Sequence, residues 1–233
     1  MFTHRKSEDR GKANLGWLNS KHSFSFSSYY DPKHMGYSSL RVLNDDRVEP
    51  EHGFPTHSHS DMEIISYVLE GTMAHKDSMG TGAVIKAGEI QVMSAGTGVT
   101  HSEYNASKSE PLRFLQIWIL PDTKGIKPSY QQPKLSPSDI QGQLRLVISK
   151  DHANEHVAGI SQDVNVYLSQ LDPTQTVSHS FKSGRKGWIQ VAQGDLTVSG
   201  FELKEGDGLA IEEEDTITLS TEREASIVLF DLP

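Results

Sequence analysis

The chain has 233 residues, 35% of them hydrophobic and 23% charged, enough for one large β domain or two smaller ones with their own cores. Its net charge of −9, from 31 acidic against 22 basic residues, repels nucleic-acid phosphates and argues against direct, non-specific DNA binding. It contains no cysteine, which excludes disulfides, thiolate metal sites and cysteine nucleophiles.

The first residues, Met1-Phe2-Thr3-His4-Arg5-Lys6, lead into polar sequence, so no secretory leader is expected. No apolar run reaches the length of a membrane span, and the expected location is cytoplasmic. Turn residues recur throughout and helical periodicity is scarce. Short alternating or apolar runs predict strands at 23–27, 62–69, 90–93, 114–120, 145–148, 164–168, 188–192, 196–199 and 226–230. Ile64-Ile65-Ser66-Tyr67-Val68-Leu69 is the strongest, β-branched and aromatic, and is closed by Glu70-Gly71.

Residues 121–138 are rich in Pro, Gln, Lys and Ser and read as a linker between two strand-rich halves. The halves share a loose internal similarity. Tyr67-Val68-Leu69-Glu70-Gly71 resembles Ile189-Gln190-Val191-Ala192-Gln193-Gly194, and Ala87-Gly88-Glu89 resembles Glu205-Gly206-Asp207. The expected domains are 1–130 and 131–233, with 1–27 packing on the second. The basic cluster Lys182, Arg185 and Lys186 reads as a solvated loop.

Two patterns carry the chemistry: His57-Ser58-His59 and His101-Ser102-Glu103. Side chains at i and i+2 of a strand share a face. Two such strands facing each other would bring three imidazoles and one carboxylate to a point, a set suited to a first-row divalent metal. Glu63 lies an even offset from His59 and would share that interior face on a regular strand, as ligand, proton acceptor or orienting group. His75 is a candidate for the site entrance. His22 could cover one end, and His4, His152 and His156 fall in polar, surface-like stretches. His179 stands alone in the second half, so no metal is expected there.

These strings resemble the cupin superfamily and, within it, the pirin family. The first cupin motif reads here as Gly53, His57, His59, Glu63 and Gly71. The second reads as Gly88, Ser94-Ala95-Gly96, His101 and Asn105, with Ser94 in place of the usual proline. Tyr29-Tyr30-Asp31-Pro32, His75-Lys76-Asp77-Ser78-Met79-Gly80 and Gln116-Ile117-Trp118 are further pirin-like strings. The resemblance implies an all-β bicupin, two packed antiparallel β-barrels of jelly-roll type, with one metal in the N-terminal barrel held by His57, His59, His101 and Glu103. Iron(II) is the first choice, and nickel, cobalt, manganese, copper or zinc would suit the same ligands.

Bacterial pirins are similar to flavonol dioxygenases, so the resemblance implies quercetin 2,3-dioxygenase activity. A flavonol-like small molecule and O₂ would be the substrates, a depside and carbon monoxide the products, and Glu63 or Glu103 the base. The alternative it implies is a non-enzymatic, iron-dependent redox sensor that binds a protein partner. A monomer is expected in either case.

Overall fold

The computed structural model describes residues 1–233. Its strands in chain order are β1 (Phe2–Arg5), β2 (Gly11–Asn14), β3 (Leu18–His22), β4 (Leu40–Val48), β5 (Gly53–His59), β6 (Glu63–Glu70), β7 (Thr72–Asp77), β8 (Gly82–Lys86), β9 (Ile90–Ser94), β10 (Val99–Asn105), β11 (Leu112–Ile119) and β12 (Ser129–Gln131). One helical turn, Pro137–Ile140, precedes β13 (Arg145–Ser149), β14 (Asn165–Leu171), β15 (Thr176–Ser180), β16 (Lys186–Gly194), β17 (Leu196–Val198), β18 (Phe201–Leu203), β19 (Gly208–Ile211), β20 (Thr216–Ser220) and β21 (Ala225–Leu232).

The chain forms two units. One comprises Gly11–Lys134 with Ile160–Gln162, the other Met1–Arg10, Leu135–Gly159 and Asp163–Pro233. Each is a pair of antiparallel sheets. The first unit has a seven-stranded sheet, β12-β9-β6-β11-β4-β3-β2, and a four-stranded sheet, β5-β10-β7-β8. The second has β1-β19-β16-β21-β14-β13 and β15-β20-β17-β18. No ladder joins the two sheets of a unit, so each is an open sandwich and the expected closed barrels do not form.

The duplication glimpsed in the sequence is physical. The four-stranded sheets share one strand order, and β9-β6-β11-β4-β3 matches β19-β16-β21-β14-β13. Val68 donates to the Glu89 carbonyl and accepts from Gly88, just as Val191 donates to Asp207 and accepts from Gly206. Gly71 and Gly194 close the equivalent strands at the same positive φ of 77°. A Cβ on either would sit 2.4 Å or less from a backbone carbonyl, of Pro111 or Glu224, so only glycine fits this turn.

The interior of the first unit is apolar in two patches. Val48, Val68, Met73, Ile85, Leu112 and Phe114 fill one end, and Ile64, Met93, Ala95 and Val99 the other. The second unit has a larger continuous core that includes Ile189, Val191, Ile217, Leu219 and Leu229. β4 was hidden in the sequence by its polar residues Asn44-Asp45-Asp46-Arg47. Asp45 is buried there because Arg113 on the neighbouring β11 meets both its oxygens at 3.0 and 2.9 Å.

Three expectations change. Residues 23–27 form no strand, since the alternating β3 ends at His22. Only Met1–Arg10 joins the second unit, through β1 against β19, while Gly11 onward belongs to the first. The stretch 121–138 is more than a linker, because β12 within it pairs with β9 and adds an edge to the first unit's large sheet.

Candidate metal centre

β5 and β10 carry the two patterns. They are antiparallel neighbours in one sheet, with His101 directly opposite His57 and Val99 opposite His59. Gly53 permits this pairing: a Cβ there would lie 2.3 Å from the Glu103 carbonyl oxygen and 2.5 Å from the Tyr104 Cα. Along β10, Val99, His101, Glu103 and Asn105 are buried, while Thr100 and Tyr104 are exposed and Ser102 half-buried. Asn105 anchors the end of that strand by donating to the carbonyls of Val48 and Glu110.

Three imidazoles converge. Ring centroids are 4.8 Å apart for His57 and His59, 4.5 Å for His57 and His101, and 5.0 Å for His59 and His101. One ligand-capable atom from each lies within 4.8 Å of the others, and His75, His101 and Glu103 form a second, overlapping set. Both ring nitrogens of His101 and Nε2 of His59 are buried without a hydrogen-bond partner. Leaving such atoms unpaired costs about 1–3 kcal/mol each, a cost that a bound cation removes. His57 Nδ1 lies 2.8 Å from the Pro55 carbonyl, which fixes the proton on that nitrogen and leaves the Nε2 lone pair available.

Burial and the neighbouring imidazoles keep His59 and His101 neutral. Burial, followed by the neighbouring His57, pushes the His59 pKa down to about 4. Burial and then His57, His59 and His75 push His101 down to about 3. A neutral imidazole is the form that binds metal.

Glu103 is fully enclosed, and burial drives its carboxyl up to about 7 despite hydrogen bonds from Ser66 Oγ (2.7 Å) and Gln91 Nε2 (2.6 Å). Both bonds fall on Oε1. The donor set of imidazoles and carboxylate fits a divalent transition-metal ion.

Glu63 is elsewhere. The chain breaks at Ser60-Asp61, with Asp61 at φ 47°, so His59 ends β5 while Glu63 begins β6 in the other sheet. Ser66, three residues on, meets Glu103, and an odd separation puts Glu63 on the opposite face. There it accepts hydrogen bonds from Ser94 Oγ and from the Ser161 backbone N–H (3.1 Å). Burial raises its pKa, Asp122 adds to the effect, and the two hydrogen bonds offset part of it. The reading of Glu63 as ligand or base beside His59 fails with the regular strand on which it stood.

His75 sits deeper than a site entrance. It is 1% exposed, and its ring centroid is 5.5 Å from that of His101. Its Nε2 lies 3.0 Å from Asp77 Oδ2, and its Nδ1 is buried without a partner. Burial pushes the Asp77 carboxyl up, but hydrogen bonds from His75, Thr81 and Met79 outweigh it and hold the pKa below normal. Tyr130 of β12 lies against His75 at 4.9 Å, and burial, then Glu103 and Asp77, raise its pKa. Trp118 meets His59 edge-on at 4.9 Å. Of these neighbours, the sequence drew attention to His75, Asp77 and Trp118, the last two within pirin-like strings. Ser66, Gln91 and Tyr130 carry no local signal.

In the second unit His179 pairs across the sheet with Ile217, where His57 pairs with His101. Ile217 and Leu219 thus take the places of His101 and Glu103. His4, His152 and His156 lie outside the cluster, as does His22, which is buried against Phe26 at 5.3 Å.

Two sandwiches of one strand order, with three imidazoles and a buried carboxylate gathered in the first, define a bicupin with a candidate metal centre. The chain belongs to the pirin family: the pirin family model matches residues 3–119, and a model described as the quercetinase C-terminal cupin domain matches residues 146–232. It is 47% identical over 233 residues to the quercetin 2,3-dioxygenase of Escherichia coli K12, covering 100% of this chain and 99% of that one. It is 40% identical over 231 residues to a pirin-like protein of Caulobacter vibrioides, covering 99% of each. The crystal structure of the bacterial pirin YhhW from Escherichia coli in complex with nickel(II) superposes with a TM-score of 0.94 at 46% identity, covering 100% of this chain and 99% of that one.

Proposed function

We propose that this protein is a metal-dependent dioxygenase of the quercetin 2,3-dioxygenase type, opening a flavonol ring with O₂ and releasing carbon monoxide. The observation that carries the reading is the set of unpaired, neutral imidazole nitrogens beside a fully buried carboxylate, in a chain similar end to end to a quercetin 2,3-dioxygenase. His57, His59, His101 and Glu103 would hold one divalent ion, with iron(II) the first choice and nickel the ion carried by the related bacterial pirin. When bound, the ion supplies Lewis acidity toward an oxygen-bearing substrate and a centre for O₂ chemistry.

The chain's own residues account for proton handling and orientation. Glu103 has Oε1 engaged by Ser66 and Gln91, so Oε2 is the atom that would either hold the ion or take the flavonol hydroxyl proton. Asp77 holds the His75 Nε2–H, which turns the Nδ1 lone pair toward the cluster as a second acceptor. Trp118 and Tyr130 give aromatic walls against which a planar substrate can stack, and the buried setting limits water.

The test is O₂ uptake by iron(II)-loaded protein with quercetin, with carbon monoxide measured in parallel. Uptake with carbon monoxide release, both lost in His101→Ala, is expected. Protein carrying close to one metal per chain that consumes no O₂ would overturn the reading.

A further inference from the structure

A row of polar side chains crosses the interior face of the first unit's large sheet, between its two apolar patches. His22 of β3 stands directly opposite Asn44 of β4, and Asn44 opposite Gln116 of β11. Gln116 in turn stands opposite Ser66 of β6, and Ser66 opposite Gln91 of β9. Directly opposed residues share a face of the sheet. Ser66 and Gln91 reach Glu103 on the facing sheet, so the whole row points into the sandwich. All five residues are buried. Phe114 and Trp118, two residues to either side of Gln116, share that face and border the row with aromatic rings.

Hydrogen bonds within the row gather at the metal end. Glu103 takes those of Ser66 and Gln91, and Ser66 Oγ lies 3.3 Å from Gln116 Oε1. Two amide oxygens, Gln91 Oε1 beside Glu103 and Asn44 Oδ1 far from it, are buried with no hydrogen-bond partner. A buried acceptor left in that state costs stability, and a ligand hydroxyl removes the cost. Gln116 keeps 8% of its surface exposed while Leu115 and Ile117 on the opposite face keep none, so that exposure belongs to the space between the sheets. Asn44 lies two strands from Ser66, roughly 10 Å across the sheet at about 4.8 Å per strand. A flat, multi-ring phenol has that reach. With one end at the metal centre and a ring against Trp118, it would bring a distant hydroxyl to Asn44.

We propose that Asn44 is a specificity-determining residue, its Oδ1 accepting a hydrogen bond from a hydroxyl on an outer ring of the substrate. The inference rests on the flavonol reading above and narrows it to polyhydroxylated flavonols. Nickel(II)-loaded protein titrated under argon with quercetin and with 3-hydroxyflavone tests it by binding, without turnover. 3-Hydroxyflavone keeps the hydroxyl and carbonyl suited to the ion and has no hydroxyl on its outer rings. Wild type should bind quercetin at least about tenfold more tightly than 3-hydroxyflavone. Asn44→Leu and Asn44→Ala both remove the oxygen, one keeping the bulk and one not. Whichever folds with wild-type nickel content should lose most of that preference by weakening quercetin alone. Equal weakening of the two flavonols, a preference unchanged in the variants, wild type binding both flavonols equally, or no binding of either at about 0.1 mM would each overturn the proposal. A preference that depends on Asn44 in a protein that consumes no O₂ would uphold this inference and sink only the dioxygenase reading.

Discussion

Replacing Glu103 by glutamine should make the metal-free protein more stable at high pH. The carboxyl titrates near pH 4.5 in the unfolded chain and near 7 when folded. A folded pKa raised above the unfolded value means that the native state binds the extra proton between those limits. Stability therefore falls as pH rises through that window, and above pH 7 the buried carboxylate costs the fold about 3 kcal/mol. Below about pH 4 both states are protonated and the cost is gone. Glutamine keeps an oxygen for Ser66 and Gln91 while removing the charge. Urea unfolding of chelator-treated protein should show Glu103→Gln more stable than wild type by about 3 kcal/mol at pH 8.5, with the gain fading at pH 4 and the m-value unchanged. A variant less stable than wild type at pH 8.5, or a gain of equal size at both pH values, would refute the reasoning. Such a cost retained in the natural sequence is what a site kept for chemistry, rather than for stability, requires.

The same background exposes His101, whose pKa is depressed from 6.5 to about 3. The native state here binds fewer protons, so metal-free Glu103→Gln should lose about 2–3 kcal/mol between pH 6.5 and 4.5, and a flat stability profile over that range would contradict the assignment. His101→Ala should abolish metal occupancy, whereas Glu63→Gln should keep both metal and turnover near wild type, as read by elemental analysis and O₂ uptake. Metal lost from the Glu63 variant would return that residue to the site. Gly53→Ala should push β5 off β10, lowering stability by about 1–3 kcal/mol and weakening metal retention during dialysis, since its Cβ would strike the Glu103 carbonyl.

The four metal-capable residues were legible in the sequence because period-two spacing survives wherever a strand stays regular, as β10 does against β7 from His101 to Asn105. Glu63 was misread because period-two logic was carried across Ser60-Asp61, where the chain leaves one sheet for the other. Ser66 and Gln91 were invisible because their roles arise from β6 and β9 meeting β10, which no local pattern encodes. The duplication was faintly readable from two glycine turns, since a positive-φ turn tolerates few other residues. β4 was missed because its buried charge is paired only in three dimensions.

The docking of β1 on β19 shapes how the molecule is made. Phe2 pairs with Ile211 and Arg5 with Gly208, so β1 has no partner until a strand about 200 residues further along has been synthesised. Closing so large a loop is entropically slow, which makes β1 the expected last strand to join. Until then the β19 edge of its sheet is bare, a surface open to pairing with another chain. The second unit is thus completed by a strand that precedes the whole first unit in sequence, and misassembly during synthesis should concentrate at that edge.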